Sequence, residues 1–105
     1  MTVIAQLSVA PVQEGSMAED VASAVAALDE FDVAYEMNAM GTVIEAEDID
    51  TLLDAVAAAH TAVEADRVST FLKIDDRRTR DESAQAKVEH VEEVLGRSAK
   101  RDRNE

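Results

Sequence analysis

The feature that most constrains the fold of this chain is the order in which two hydrophobic periods alternate along it. Segments with apolar residues at every second position predict strands, and segments with apolar residues three or four positions apart predict helices. The first strand pattern covers residues 3–10, where one face is formed by Val3, Ala5, Leu7 and Val9. Read along the whole chain, the two periods give the order β-α-β-β-α-β-α.

Capping and turn residues mark where these elements begin and end. Ser16 and Glu19 have the spacing of a capping box, which predicts a helix from this point to about Leu28. Asp48 or Asp50 is expected to cap the second helix. The short segment 38–41 joins two strand patterns and predicts a hairpin. The predicted elements are strands at 3–10, 33–37, 42–46 and 67–75, and helices at 16–28, 49–65 and 82–95.

This order predicts an α+β fold, the ferredoxin-like β-α-β-β-α-β sandwich with an additional C-terminal helix, because right-handed crossovers leave few other topologies. Its antiparallel sheet carries two helices on one face and leaves the other face without cover from them. Ile4 and Phe71 lie on that second face, so we expect two copies to pack sheet to sheet as a homodimer. Residues 1–96 are assigned to a single domain, and residues 97–105 to a flexible basic tail.

The charge of the chain excludes several classes of partner. The 105 residues include 23 acidic and 10 basic side chains, a formal net charge of -13. Such a surface repels phosphate backbones and anionic lipids, so neither nucleic acid nor membrane is expected as a partner. Abundant Asp and Glu with little Lys resemble proteins of salt-loving organisms, and we favour this halophilic interpretation over an acidic binding face.

The sequence also argues against an exported protein and against thiol chemistry. No apolar window is long enough to span a membrane, and the N-terminal residues lack the basic start of a signal peptide. The absence of Cys excludes disulfides, catalytic thiols and Cys-bound zinc. We therefore expect a cytoplasmic protein.

Few residues point to catalysis or to a metal. There is no phosphate-binding loop, dinucleotide fingerprint or nucleophile elbow. His60 and His90 stand alone on predicted helices, where an ordinary surface position is favoured over a ligand or base role. Acids near strand ends could bind a hard cation, but such acids are expected by chance in this chain, so no metal or cofactor is predicted. They are Glu45, Glu47, Asp75 and Asp76.

The basic run formed by Arg77, Arg78 and Arg80 is conspicuous in an acidic chain. It could bind an anion, or it could pair with neighbouring acids such as Asp75 and Asp81. Pairing is the favoured interpretation.

The predicted hairpin, residues 35–45, concentrates side chains that suit a small heteroaromatic ligand. Methionine adapts to flat ligands, tyrosine stacks on rings, and the Thr42 hydroxyl and Asn38 amide can bind a ring edge. The alternative is a plain hairpin with its Met and Tyr side chains in the core, which composition alone favours.

The same residues resemble the small thiamine-binding protein family of the YkoF-like superfamily. The resemblance covers about residues 2–96. It rests on the Met-Gly-Thr segment with its flanking residues, on the Ile-Asp-Asp-Arg-Arg segment, and on a third match in the last helix. These matches are Tyr35, Met40, Gly41, Thr42, Ile44 and Glu45, then Arg67, Val68 and 73–78, and finally Lys87, Val88, Glu89 and Val91.

This resemblance implies a ferredoxin-like, non-catalytic protein that binds thiamine or its hydroxymethylpyrimidine part, in dimers joined through their sheets and often in tetramers. It makes Thr42 the best candidate for a pyrimidine contact. Asp75 and Arg77 would instead organise a strand end and the subunit interface. The implied ligand contacts are Ser8, Ser16, Tyr35, Glu36, Asn38, Met40, Gly41 and Thr42.

Two other functions compete with ligand binding. The chain could be an oligomeric regulatory or protein-interaction module without a thiamine site. It could also be an enzyme in which Glu36, Glu45 or Asp75 serves as general base, if burial raises the pKa of that group. No paired nucleophile and base points to a reaction, so we predict that the protein is not an enzyme.

Overall fold

A computed structural model of the protein describes residues 1–101, and its elements confirm the predicted order and the ferredoxin-like class. The elements are β1 (Thr2–Pro11), α1 (Ala18–Leu28), β2 (Ala34–Asn38), β3 (Gly41–Ala46), α2 (Ile49–Ala62), β4 (Val68–Arg77) and α3 (Ala84–Leu95). The predicted tail at 97–105 falls partly outside the described residues, and its flexibility stays a prediction.

The four strands form one antiparallel sheet in the order β2-β3-β1-β4. Strand β1 lies inside the sheet, where Leu7 pairs with Thr42 of β3 and with Leu72 of β4. Because paired residues point to the same side of a sheet, this register assigns every strand residue to one of two faces. We call the side that α1 and α2 cover the helix face, and the other side the open face.

The core lies between the helix face and these two helices. Alternation along β1 buries every second side chain, and the apolar stripes of α1 and α2 close over them. The largest side chains that are fully buried are Val3, Leu28, Ile44 and Leu52. Aliphatic side chains therefore build this core almost alone, as the low aromatic content requires.

Helix α3 covers part of the open face, which the sequence left without an assigned cover. Its first turn is held by Glu45, whose Oε1 accepts a hydrogen bond from the Ala84 N–H at 2.7 Å, and Lys87 Nζ donates to Asp75 Oδ2 at 2.5 Å. No residue of α3 is buried. Phe71, on the uncovered part of the face, keeps 59% of its surface exposed.

Strand β4 is longer than predicted, because its last residues pair despite being polar. Asp76 pairs with Val3, and Arg77 pairs with Thr2. The prediction that this strand ends at Asp75 is therefore wrong. Backbone pairing with β1 decides this end of the strand rather than the hydrophobic pattern.

The caps also differ from the predictions in one case. Helix α1 has Met17 at its N-cap without a side-chain cap, so the predicted capping box is wrong. The Ser16 hydroxyl instead accepts from the Ala18 N–H at 3.3 Å. Helix α2 is capped by Asp48, one of the two predicted residues, whose carboxylate accepts from the Thr51 N–H at 2.7 Å.

Candidate functional site

The tip of the β2–β3 hairpin lies against β1 because residue 41 is a glycine. Gly41 has φ +152, and a Cβ built on it would stand 2.8 Å from the Leu7 carbonyl oxygen. Such a contact is too short for any side chain to occupy without displacement. The glycine therefore lets the hairpin approach β1 closely at the position where Thr42 begins its pairing.

A cleft of about 320 Å³ lies between this hairpin tip, the second half of β1 and α1. Its walls are mostly aliphatic, and three of the four methionines of the chain contribute to them. Met17, Met37 and Met40 are 41%, 62% and 81% exposed, so their side chains stand at the mouth of the cleft. The volume and lining are typical of a small-molecule pocket, which is an apolar cavity with a few polar groups.

Thr42 is the buried polar residue of this cleft. It is 6% exposed, and no group among residues 1–101 forms a hydrogen bond with its hydroxyl. Within residues 1–101, Asp76 Oδ1 is the one fully buried side-chain polar atom without a partner, so the Thr42 hydroxyl is reached by solvent in the cleft. An unpaired hydroxyl in the wall of a cleft is therefore available to a ligand.

The cleft brings together five of the eight residues implied by the resemblance. They are Ser8, Asn38, Met40, Gly41 and Thr42. Strand alternation assigns the side chains of Ser8 and Asn38 to the open face, so both residues contribute main chain to the cleft wall.

The other three implied residues lie elsewhere. Ser16 precedes α1, where its hydroxyl accepts from the Ala18 N–H, and is absent from the cleft lining, while Tyr35 and Glu36 line a second groove. The Tyr35 hydroxyl donates to Asp29 Oδ1 at 2.6 Å, and this hydrogen bond raises the pKa of Tyr35 above its ordinary value of 10.0. Tyr35 therefore fastens the edge strand β2 to the end of α1.

Strand β2 also corrects the interpretation that its Met and Tyr side chains belong to the core. All five of its residues are exposed, because β2 is an edge strand that the helices reach only in part. Met17 was missed by the sequence reasoning, since no motif includes it. Its position just before α1 becomes informative only once that helix packs beside the hairpin.

The second groove has a volume of about 480 Å³ and lies on the open face beside α3. Three of its acids were candidates for a general base, namely Glu36, Glu45 and Asp75. Glu45 accepts a hydrogen bond from the Ala84 N–H at the start of α3. The hydrogen bond from Lys87 holds the pKa of Asp75 below its ordinary value of 3.8. A carboxylate stabilised in its charged form is a weak base, so the groove gives Asp75 no catalytic advantage.

The arginine run forms ion pairs, as predicted. Arg77 Nη1 lies 2.8 Å from Glu82 Oε1, and Arg80 Nη2 lies 3.3 Å from Glu82 Oε2. Arg78 Nε lies 3.4 Å from Asp76 Oδ2. These pairs stand at the end of β4, next to the first residues of β1.

The two histidines are bound to single neighbours rather than to a shared site. His60 Nδ1 lies 2.5 Å from Thr70 Oγ1, and His90 Nδ1 lies 3.5 Å from Glu82 Oε2. Within residues 1–101, no three His, Asp or Glu side chains converge in a way that would hold a metal ion. In the same part of the chain, every helix is too short or too polar to cross a bilayer.

Comparison with known proteins places this geometry in a family. Residues 5–92 match the family model described as thiamine-binding protein. The chain belongs to the thiamine-binding protein family. This membership bears out the resemblance of the hairpin and β4 motifs.

Relatives in this family are similar along nearly their whole length. A UPF0045 protein of Methanothermobacter thermautotrophicus is 49% identical over 98 residues, which cover 89% of this chain and 99% of the relative. The solved structure of the hypothetical protein MJ1052 of Methanocaldococcus jannaschii is 36% identical, with a TM-score of 0.80 over 88% of this chain and 97% of that one. A domain of unknown function from Bacillus cereus is 30% identical, with a TM-score of 0.72 and coverage of 83% and 86%.

Proposed function

We propose that this member of the thiamine-binding protein family is a non-catalytic binding protein for thiamine or its hydroxymethylpyrimidine part, and that the ligand occupies the cleft between α1 and the hairpin. The observation that carries the proposal is the unpaired Thr42 hydroxyl in the wall of this methionine-lined cleft. Family membership supports the class of ligand.

The cleft offers the two kinds of contact that an aminopyrimidine ring needs. The thioethers of Met37 and Met40 provide polarizable surface for the ring faces, where sulfur–aromatic contacts add about 0.3–1.5 kcal/mol each. Thr42 can donate to a ring nitrogen or accept from the amino group. Ser8, Ser16, Tyr35, Glu36 and Asn38 stay predicted contacts from the resemblance.

The experiment compares ligand binding by two threonine variants. Thr42→Val keeps the shape of the side chain and removes the hydroxyl, so thiamine affinity should fall about tenfold, the effect of one lost hydrogen bond. Thr61→Val, on the exposed surface of α2, is the matched control and should bind like the unmodified protein. Isothermal titration calorimetry measures both, and thermal unfolding checks that each variant is folded.

Two results would contradict the proposal. One is the absence of any heat or thermal shift with thiamine and with hydroxymethylpyrimidine, which would favour the alternative of a regulatory or protein-interaction module. The other is saturable binding that Thr42→Val leaves unchanged, which would move the ligand away from this cleft.

A second copy of the chain is proposed as the cover of the open face. Phe71 is exposed beside Ser69 and Lys73 on β4, and the apolar stripe of α3 that includes Val88 and Val91 is exposed as well. Exposed apolar surface on two neighbouring elements favours burial against a second copy. In a two-fold symmetric dimer, each copy contributes the same two patches, so both patches are covered on both copies. The assembly is then a homodimer through the sheet faces, or a homotetramer built from two such dimers.

A further inference from the structure

We infer that the cleft selects unphosphorylated ligands, so that it takes free thiamine or the free pyrimidine alcohol and rejects their phosphate esters. This inference rests on the proposed function and names the charge class of its ligand. The observation behind it is the lining of the cleft, which contains no charged side chain. Phosphate sites in proteins are built from Arg, Lys, free helix N-termini or clustered backbone N–H groups.

The arginines that could neutralise a phosphate stand at the wrong end of the sheet. Arg77 pairs with Thr2, whereas Thr42 pairs with Leu7, five residues further along β1. At about 3.3 Å per residue, this places Arg77 about 17 Å along the sheet from the cleft, with β1 in between. Its guanidinium is also already bound to Glu82.

Other cations are separated from the cleft by the sheet. Lys73 lies on the open face, opposite Gln6, and Lys87 is bound to Asp75 on that same side. Arg67 precedes β4 at the correct end of the sheet, but β1 lies between it and the hairpin. No Lys or Arg among residues 1–101 lines the cleft.

The start of α1, which would normally favour an anion, carries two acidic residues in its first turn. The Ser16 hydroxyl accepts the Ala18 N–H, and Glu19 and Asp20 occupy the first turn. These acids share a helical turn with Met17 and Val21, which both line the cleft, but their own side chains do not line it. The overall net charge of -13 disfavours a phosphate near the cleft and favours the cationic thiazolium ring of thiamine.

The experiment measures matched pairs of ligands by calorimetry at one fixed ionic strength. Thiamine is compared with thiamine diphosphate, and hydroxymethylpyrimidine with its phosphate ester. Each phosphorylated ligand should bind at least about tenfold more weakly than its free alcohol, a difference of about 1.4 kcal/mol. Because the pyrimidine alcohol is neutral, the second pair isolates the phosphate from the thiazolium charge.

A pair of variants at the hairpin turn tests the cause. Ala39 is exposed and lines the cleft, so Ala39→Lys adds a cation at the cleft mouth. This variant should reduce the difference in affinity between each free alcohol and its phosphate ester. Ala39→Gln adds a side chain of similar length to lysine but without charge, and it should leave this difference in affinity unchanged.

The outcomes separate this inference from the proposed function. Saturable thiamine binding with equal or tighter binding of the diphosphate overturns the inference alone. An affinity difference that Ala39→Lys does not reduce also overturns the inference, because the lack of a cation would then not explain the weaker binding of phosphate esters. If neither alcohol binds, the proposed function fails and the inference fails with it.

Discussion

At the scale of single residues, the neighbours Gly41 and Thr42 in the hairpin have different structural roles. Gly41 has no side chain and lets the turn lie against the Leu7 carbonyl, while Thr42 brings a hydroxyl into the cleft that this approach creates. The cleft geometry therefore depends on a residue that cannot itself bind a ligand. The importance of such a residue shows only when its backbone angle and its neighbours are considered together.

A substitution at this position should be costly. Gly41→Ala forces a Cβ to within 2.8 Å of the Leu7 oxygen at an unfavourable φ, so we expect a loss of about 1–3 kcal/mol in the free energy of unfolding. Gly15→Ala is the matched control, because its φ is also positive at +91 but nothing lies within 4 Å of the added Cβ. Urea denaturation measures both, and equal losses in the two variants would show that the close contact with β1 is unimportant.

At the scale of elements, α3 differs from α1 and α2 in how it is attached. The first two helices are held by buried side chains, whereas α3 buries none and is fixed by hydrogen bonds that it donates to Glu45 and Asp75. A twelve-residue helix is marginal in water without packing, so these two carboxylates carry much of its placement in a single copy.

The attachment of α3 should depend on pH. The Lys87 ammonium lowers the pKa of Asp75 below 3.8, so the link stabilises the folded arrangement above that value and is lost as the pH falls through the lowered pKa. We expect the amide signals of α3 to broaden or shift on acidification below 3.8 in NMR spectra. Arg77 Nε, 3.6 Å from Asp75 Oδ2, adds a weaker contribution in the same direction.

Removal of the ammonium tests this attachment at neutral pH. In Lys87→Met, the signals of α3 should already be altered, and their response to acid should be reduced. Lys100→Met lies beyond α3 on an exposed position and serves as the control. Identical spectra for Lys87→Met and the unmodified protein would contradict the role of this contact.

At the scale of the whole molecule, the sheet has two unequal faces. Its helix face is closed by α1 and α2, while the open face is only partly covered by α3 and exposes Phe71. The proposed ligand cleft borders the helix face, so covering the open face with a second copy leaves the cleft accessible. Binding and assembly can therefore be tested independently.

Assembly through the open face should depend on Phe71. Phe71→Ser is expected to weaken self-association about tenfold or more, because central aromatic residues carry a large share of interface energy. Leu53→Ser on α2 removes an exposed apolar side chain of the opposite layer and should leave the assembly intact. Sedimentation velocity at several concentrations measures the mass, and a monomer at every concentration of the unmodified protein would contradict the proposed homodimer.

Much of the fold could be predicted because β1 and the helices have clean periods. The polar end of β4 could not, since Asp76 and Arg77 are held by pairing that no local pattern reveals. For the site, the Met-Gly-Thr segment indicated the correct hairpin. The separation of Glu36 from Thr42 onto opposite faces required the observed register, and the position of Met17 required the packing of α1 beside the hairpin.

The central position of β1 has a consequence for synthesis. Thr2 of β1 pairs with Arg77 of β4, so β1 cannot form this pairing until 75 further residues have been synthesised. Until then one edge of β1 has unpaired backbone groups, and only the pairing with β3 can form on the nascent chain. Closing so long a loop late makes folding slower than for a protein with local contacts, so the last step of sheet formation is expected to follow release of β4 from the exit tunnel.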